Sequence, residues 1–100
     1  MSYLLTPLAQ ADIQSLGEEA AARSTSDAAI LMEQLHRRFQ LLSEFPRSGV
    51  ARDDIRPRMR IITSGDLLIL YRIRDRFGDE DVEIIRISPA QRLTGAIGLF

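Results

Sequence analysis

Residues 58–88, RMRIITSGDLLILYRIRDRFGDEDVEIIRIS, decide the fold of this chain. Three runs in this stretch have the alternation or the β-branched content of strands: Arg58 to Thr63, Leu67 to Arg74 and Val82 to Ser88. A turn over Ser64 to Asp66 and an acidic turn over Asp75 to Asp81 separate these runs, and each turn contains a glycine. Because both connections are short, the stretch predicts an antiparallel meander of three strands.

Two helical segments precede the meander. The first begins after Thr6, whose hydroxyl can cap free amide groups, and continues to about Ala22. The second begins at Asp27, and its apolar residues recur at three- and four-residue intervals along one face. Pro46 ends it, because proline cannot continue a helix. The short connection between the two segments predicts an antiparallel helical hairpin.

The remaining segments complete the predicted fold. Residues Ser2 to Thr6 are short and apolar and can form an opening strand, and the polar stretch Arg47 to Pro57 reads as a surface connection. Since no repeat or linker interrupts the chain, residues 1–100 are predicted to form a single α+β domain. Its expected architecture is an N-terminal strand and an α-helical hairpin packed on a small, mostly antiparallel β-sheet.

The composition narrows the class of protein. A chain of 100 residues suits one core, and 45% hydrophobic with 27% charged residues is typical of a globular domain. The longest apolar runs, Ala28 to Met32 and Leu67 to Tyr71, are far shorter than the roughly 18 to 20 residues of a membrane span. The chain has no cysteine, which fits a reducing compartment, so we expect a cytoplasmic protein without a membrane anchor.

Strand parity predicts how the meander divides its side chains, because residues two apart share a face of a sheet. One parity is almost wholly apolar and is predicted to lie under the helices: Met59, Ile61, Thr63, Leu67, Ile69, Tyr71, Ile73, Glu83, Ile85 and Ile87. The other parity mixes arginines with aliphatic residues: Arg58, Arg60, Ile62, Leu68, Leu70, Arg72, Arg74, Val82, Ile84, Arg86 and Ser88. We expect this mixed face to bind a partner such as an amphipathic helix that bears acids. The alternative is that its arginines cover their own sheet and pair with Asp66, Asp75 or Glu80.

Residues that could carry catalysis or bind a metal are sparse. His36 is the single histidine and follows Leu35 in the second helix, so we expect a solvated or boundary position rather than a general base. Without cysteine or a second histidine, a metal cluster of these residue types is excluded. Ser88 has no base partner in the pattern, and no glycine-rich phosphate loop follows a strand. The sequence therefore predicts no catalytic, metal or cofactor site.

Several groups of residues follow one another at a specific spacing along the chain. They are Tyr3 to Pro7 with Ala9, Ala11 and Asp12; Leu41, Leu42, Phe45, Pro46 and Gly49; Asp54 to Pro57 with Arg60; Gly65, Leu68, Ile69, Tyr71 and Arg72; and Arg86 on the last strand. In their order and spacing, these residues resemble the ParE branch of the RelE/ParE toxins of bacterial toxin–antitoxin modules, over nearly the full length. The resemblance implies a helical hairpin on a small, mostly antiparallel sheet, which agrees with the patterns above.

The two branches of this superfamily imply different activities. Members of the RelE branch are ribosome-dependent mRNA endonucleases, which use basic residues and often a histidine or tyrosine near the last strand. Here Pro89 stands where many relatives place the histidine, and no tyrosine follows Tyr71, so nuclease activity is disfavoured. The ParE branch is associated with inhibition of DNA gyrase by binding, which implies a non-enzymatic toxin. The alternatives are an mRNA interferase and an inactive relative that only binds.

The resemblance also implies partners. A ParD-like antitoxin, which joins a DNA-binding part to a segment that wraps the toxin, would form a hetero-oligomer with this chain. DNA gyrase is the expected target, and no sequence-specific nucleic-acid binding is expected from the toxin alone. The residues predicted to contact antitoxin or target are Arg58, Arg60, Leu68, Leu70, Arg72, Arg74, Ile84, Arg86 and Arg92. The apolar tail, Leu93 to Phe100, is a second candidate contact.

Overall fold

A short strand leads directly into a helical hairpin. The computed structural model describes residues 2–90, with Arg76 described by its backbone alone. Strand β1 (Tyr3–Leu5) is followed by helix α1 (Pro7–Arg23) and helix α2 (Thr25–Glu44). The predicted opening strand and both helices are therefore confirmed, although α2 begins two residues earlier than predicted.

Two hydroxyl residues set the ends of these helices. The Thr6 Oγ1 accepts a hydrogen bond from the Ala9 amide (3.1 Å) and donates one to the Ile85 carbonyl (2.9 Å), so it caps α1 and fixes it to the sheet. Ser24 is the single residue between the helices. Its amide donates to the Ala20 carbonyl (3.0 Å) at the end of α1, and its Oγ accepts from an amide in the first turn of α2. This double role explains why the connection is shorter than the polar stretch around it indicates.

The connection after α2 contains two small elements. The Phe45 amide donates to the Leu41 carbonyl (2.7 Å), and the chain then forms a 3₁₀ turn over Pro46–Ser48. A two-residue strand, β2 (Val50–Ala51), follows this turn. The surface connection predicted here thus contributes an edge strand to the sheet, which the polar composition of the segment did not indicate.

Three longer strands complete the sheet: β3 (Met59–Ser64), β4 (Leu67–Arg76) and β5 (Asp79–Pro89). The strand order is β1-β5-β4-β3-β2, in which β1 runs parallel to β5 and the other neighbours are antiparallel. The meander and the α+β architecture are confirmed. The turn between β4 and β5 consists only of Phe77 and Gly78, so it is shorter than the predicted acidic turn.

The β3–β4 hairpin places residues of opposite parity beside each other. Its two-residue turn pairs Ser64 with Leu67, and every further pair keeps an odd sum of residue numbers, as in Ile62 opposite Ile69. Directly opposed residues share a face of the sheet. The assignment of equal parity to one face across this hairpin is therefore wrong.

A β-bulge in β5 changes the parity a second time. Leu70 pairs with Arg86, but Tyr71 pairs with Ile84, so Ile85 is an extra residue in the ladder. Before the bulge along β5, even-numbered residues such as Ile84 face the same side as Tyr71. After the bulge, odd-numbered residues take that side, as Ile87 does opposite Ile69.

Turn length and bulge together sort the side chains into two faces. The inner face, toward the helices, carries Arg60, Ile62, Leu67, Ile69, Tyr71, Ile73, Val82, Ile84 and Ile87. Four of these were predicted on the opposite face: Arg60, Ile62, Val82 and Ile84. The outer face, away from the helices, carries Met59, Ile61, Thr63, Leu68, Leu70, Arg72, Arg74, Glu83, Ile85 and Ser88. Five of these were predicted under the helices, and the same two features explain the error: Met59, Ile61, Thr63, Glu83 and Ile85.

The core lies between the helical hairpin and the inner face. It is built from Ala9, Leu16, Leu35, Phe39, Leu42, Ile69, Tyr71, Val82, Ile84 and Ile87. Tyr71 is buried as predicted, and its hydroxyl donates to the Pro46 carbonyl (2.7 Å) and accepts from the Gly49 amide (2.9 Å). These two bonds hold the connection after α2 against the sheet. Gly49 is required there, because a Cβ would lie 2.6 Å from the Tyr71 oxygen.

Candidate partner-binding surface

The outer face combines aliphatic side chains with arginines along the central strand. Leu68, Leu70, Arg72 and Arg74 alternate along β4 and share this face. Leu70 is fully buried, while the other three are partly exposed. On this face, the exposed part of the strand therefore consists of Leu68 toward one end and of Arg72 and Arg74 toward the other.

Glu83 of β5 is shared by two arginines of β4. The Arg72 Nε donates to Glu83 Oε1 (2.9 Å), and the Arg74 Nη1 donates to Glu83 Oε2 (3.0 Å). The Glu83 side chain is 17% exposed, whereas Arg72 and Arg74 are 43% and 41% exposed. Two cations on one carboxylate leave excess positive charge. The exposed guanidinium edges can therefore donate hydrogen bonds to a further carboxylate from a partner.

A shallow cavity opens beside this charged group. Its volume is about 310 Å³, and its lining consists of Arg56, Pro57, Met59, Arg72, Glu83 and Ile85. The Arg56 guanidinium makes no ion pair with any residue between 2 and 90, and Arg56 is exposed. The cavity thus joins aliphatic walls to a free cation, which suits an apolar side chain flanked by an acid.

Arg86 ties the sheet to α1. Its Nε donates to Asp12 Oδ2 (2.8 Å) and its Nη2 to Asp12 Oδ1 (3.1 Å), and the Ile87 amide donates to the same carboxylate (2.9 Å). The hydrogen bonds and the charge of Asp12 raise the pKa of the Arg86 guanidinium above its ordinary value, so this side chain stays cationic. Arg86 positions α1 on β5, and a substitution there would disturb the helix as well as any surface.

Arg60 and Arg58 lie away from the outer face. The Arg60 Nη2 donates to the Gly49 carbonyl (2.8 Å) and to the Arg47 carbonyl (3.1 Å), so this side chain braces the connection after α2. Arg58 precedes β3 with a φ of 67°, and its amide donates to Asp53 Oδ1 (2.9 Å). This hydrogen bond to a nearby side chain supports the left-handed backbone of Arg58.

The predicted contact residues therefore divide into two sets. Four of them share the outer face: Leu68, Leu70, Arg72 and Arg74. Three do not, because Arg58 precedes β3 and Arg60 and Ile84 lie on the inner side. Arg86 lies opposite Leu70 in the ladder, but its guanidinium is bound to Asp12 of α1. Arg92 and the tail from Leu93 to Phe100 lie outside the described residues.

Sequence reasoning missed Arg56, Glu83 and Ile85 as members of this surface. A two-residue turn at Phe77 and Gly78 would have placed Glu83 beside Arg72, so turn length is the signal that finds it. The bulge that turns Ile85 outward and the loop that brings Arg56 to the cavity have no comparable local signal.

The residues suited to proton transfer lie elsewhere. His36 is exposed on α2, as predicted, and Tyr71 is buried in the core. The Tyr3 ring packs against Phe39 with centroids 5.2 Å apart. These are the only histidine and tyrosines of the chain.

Among residues 2–90, no three acidic or histidine side chains are grouped as a metal ion would require. In that same part of the chain, every helix is too short or too polar to span a bilayer.

The fold of this chain is a helical hairpin packed on one side of a mostly antiparallel sheet. The opposite face of the sheet carries arginines and aliphatic side chains. The chain matches the family described as "ParE toxin of type II toxin-antitoxin system, parDE" over residues 3–94. It belongs to this family of toxins.

Individual relatives agree with this membership. Toxin ParE1 of Mycobacterium tuberculosis, from strains H37Rv and CDC 1551, is 28% identical over 86 residues, which cover 85% of both chains. A solved structure described as "Chromosomal ParDE TA system from P. aeruginosa" superimposes with a TM-score of 0.72 at 18% identity. It covers 89% of this chain and 95% of that chain, and at this identity the likeness shows the fold.

Proposed function

We propose that this toxin acts by binding DNA gyrase in the cytoplasm, and that a ParD-like antitoxin keeps it inactive by covering the outer face. Membership of the ParE toxin family supports the toxin role. The solved neighbour comes from a ParDE system, which supports an antitoxin as the partner. The toxin on this proposal catalyses no reaction of its own.

The composition of the outer face carries the proposal. Arginines and aliphatic side chains share this surface, while His36 is exposed on α2 and both tyrosines pack into the core. Cleavage of RNA needs proton transfer at the attacking and leaving oxygens, for which imidazole and phenol groups are the usual donors and acceptors. The surface is therefore better suited to binding than to cleavage.

The chemistry of the outer face specifies the antitoxin segment that fits it. An amphipathic segment can place an apolar side chain into the cavity beside Met59 and Ile85. Acidic residues on the same segment can then pair with Arg56, Arg72 and Arg74. We expect the wrapping part of the antitoxin to be acidic for this reason.

The target can be tested with purified toxin after its release from the antitoxin complex. It should block supercoiling of relaxed plasmid by DNA gyrase, and cells that express it alone should stop growing with signs of DNA damage. Ribosome-bound transcripts in those cells should remain uncut. Cut transcripts together with unaffected supercoiling would assign the RelE-type activity and overturn the proposal.

The antitoxin surface can be tested with two matched double variants. Arg72→Gln with Arg74→Gln removes two cations from the outer face, whereas Arg23→Gln with Arg37→Gln removes two cations from ion pairs on the helices. The first should weaken antitoxin binding by about tenfold or more, because it removes charged partners at an interface. The second should leave binding unchanged. Equal effects of the two doubles would mean that only net charge matters.

A further inference from the structure

The turn between β4 and β5 has an unusual residue at its first position. Phe77 and Gly78 have φ values of 53° and 88°, and positive φ at both central residues is the mark of a type I′ hairpin turn. Asparagine, aspartate or glycine normally occupies the first position. Glycine has no Cβ, and the short polar side chains of asparagine and aspartate tolerate the left-handed backbone, whereas a bulkier side chain strains it. A phenylalanine there works against the fold.

At the other left-handed positions between residues 2 and 90 the backbone is accommodated, but at Phe77 it is not. In the β3–β4 turn the positive φ of 59° falls on Gly65, which has no Cβ. At Arg58 the backbone is supported by the hydrogen bond to Asp53. Phe77 is 102% exposed, so packing against residues 2–90 gives nothing in return for the strain. A single exposed apolar residue is ordinary, but one held in a strained conformation at a hairpin tip points to an external contact.

The charges around the tip define the kind of partner. Residues 75–81 contain four carboxylates and one arginine, which gives the segment a formal charge of −3. Of these, Glu80 is held by Arg47 through two hydrogen bonds of 2.8 and 2.6 Å. An acidic tip is repelled by the phosphates of DNA or RNA, so insertion of the ring between bases is disfavoured. It is also repelled by an acidic antitoxin segment of the kind that suits the outer face.

We propose that Phe77 is the anchor by which the toxin holds its target protein, with the ring inserted into an apolar pocket whose rim is basic. This inference rests on the proposed function and names the toxin's own contact to the target. Aromatic side chains are the usual anchors of protein interfaces, and a residue at a hairpin tip can enter a cleft that a flat face cannot. Acids on either side of the ring would pair with the basic rim.

The test compares the melting temperature, gyrase inhibition and growth arrest of Phe77→Asn with those of Phe45→Asn, each made in the full chain. Phe45 is a matched control, because it is also exposed (60%) but lies at the end of α2 with a φ of −130°. Phe77→Asn should raise the melting temperature, since asparagine accepts a positive φ more readily than phenylalanine. The same variant should reduce gyrase inhibition and growth arrest by about tenfold or more, as expected for loss of an aromatic anchor.

The two assays separate this inference from the proposed function. If the wild type arrests growth without inhibiting gyrase, gyrase is not the target, and loss of arrest in Phe77→Asn would still support the tip as the contact to another protein. Growth arrest equal to the wild type would overturn the inference, whatever the target. Plasmid binding without gyrase that depends on Phe77 would also overturn it. Antitoxin affinity should be unchanged in Phe77→Asn, and a tenfold loss there would assign the ring to the antitoxin instead.

Discussion

The Tyr71 hydroxyl is the group on which the connection between α2 and the sheet depends. It serves one buried carbonyl, of Pro46, and one buried amide, of Gly49. Tyr71→Phe leaves both groups without a partner, so we expect the free energy of unfolding to fall by about 1–3 kcal/mol. Urea denaturation followed by circular dichroism measures this change.

Tyr3→Phe is the control for that substitution. The Tyr3 hydroxyl makes no hydrogen bond with residues 2–90, and its ring would keep its contact with Phe39. We expect a change within about 0.5 kcal/mol. A loss in Tyr3→Phe as large as that in Tyr71→Phe would mean that the hydrogen bonds of Tyr71 are not the source of the effect.

The Arg47–Glu80 pair makes one carboxyl titrate differently from a free glutamate. The hydrogen bonds and then the charge of Arg47 lower the pKa of Glu80 below its ordinary value of 4.5. Because the pKa is lower in the folded chain, the pair stabilises the fold fully above about pH 4.5 and loses its contribution as the pH falls through the lowered value. Carbon-detected NMR titration should give a Glu80 midpoint below 4.5, and Arg47→Gln should raise it. An identical Glu80 midpoint in the wild type and in Arg47→Gln would mean that Arg47 does not lower the pKa of Glu80.

At the scale of the helices, apolar periodicity predicts the elements and capping residues set their ends. The three- and four-residue spacing found both helices, but the sequence predicted the start of α2 at Asp27, whereas the helix begins at Thr25 after its cap Ser24. Ser24 caps the start of α2, because its amide bonds to the end of α1 and its hydroxyl accepts from the first turn of α2. This double role depends on where α1 ends. Local patterns therefore locate a helix better than its boundaries.

The packing of the two helices predicts the effect of a substitution at Gly17. Alanine favours the helix by about 1 kcal/mol over glycine, and the added Cβ would lie 3.2 Å from the Met32 Cε. That methyl group ends a flexible and exposed side chain, so it can move. Gly17→Ala should raise the free energy of unfolding by up to about 1 kcal/mol, as measured by denaturant unfolding.

Gly49→Ala is the control, because the same change there meets groups that cannot move. The Cβ would lie 2.6 Å from the Tyr71 oxygen and 2.7 Å from the Ile61 carbonyl. This variant should be clearly destabilised. Destabilisation of both variants would mean that Met32 cannot yield and that the helices are packed more tightly than its exposure indicates.

At the scale of the strands, the sequence predicts the meander but not its faces. Alternation along one strand is read directly, whereas alignment between strands depends on turn length and on bulges. The two-residue turn at Gly65 reverses the parity between β3 and β4, and the extra Ile85 reverses it again within β5. Only part of the candidate surface could therefore be predicted. The four residues on β4 were grouped correctly, because they belong to one strand. Arg60, Ile62, Val82 and Ile84 of its neighbours were assigned to the wrong side, whereas Ser88, which lies beyond the bulge, was assigned correctly.

Across the whole molecule, β4 links two surfaces of different charge. Arg72 lies on the cationic outer face, and Phe77 follows five residues later at the acidic tip, about 16 Å along an extended strand. This separation exceeds the Debye length of about 8 Å at physiological salt. Phe77 carries no charge, so its substitution should act independently of substitutions at Arg72 and Arg74, whereas Asp81 of the acidic segment lies directly opposite Arg74.

This separation makes the salt dependence of antitoxin binding a test of the molecular charge pattern. If an acidic antitoxin segment docks on the outer face, the dissociation constant should rise severalfold between roughly 50 and 500 mM salt, because exposed pairs are screened. The rise should be smaller for Arg72→Gln with Arg74→Gln and unchanged for Phe77→Asn. Isothermal titration calorimetry at several salt concentrations measures these slopes. A steeper slope for Phe77→Asn would place the antitoxin near the tip. A slope near zero for the wild type would mean that aliphatic contacts alone hold the complex. In that case Leu68 and Ile85, rather than the arginines, determine its affinity.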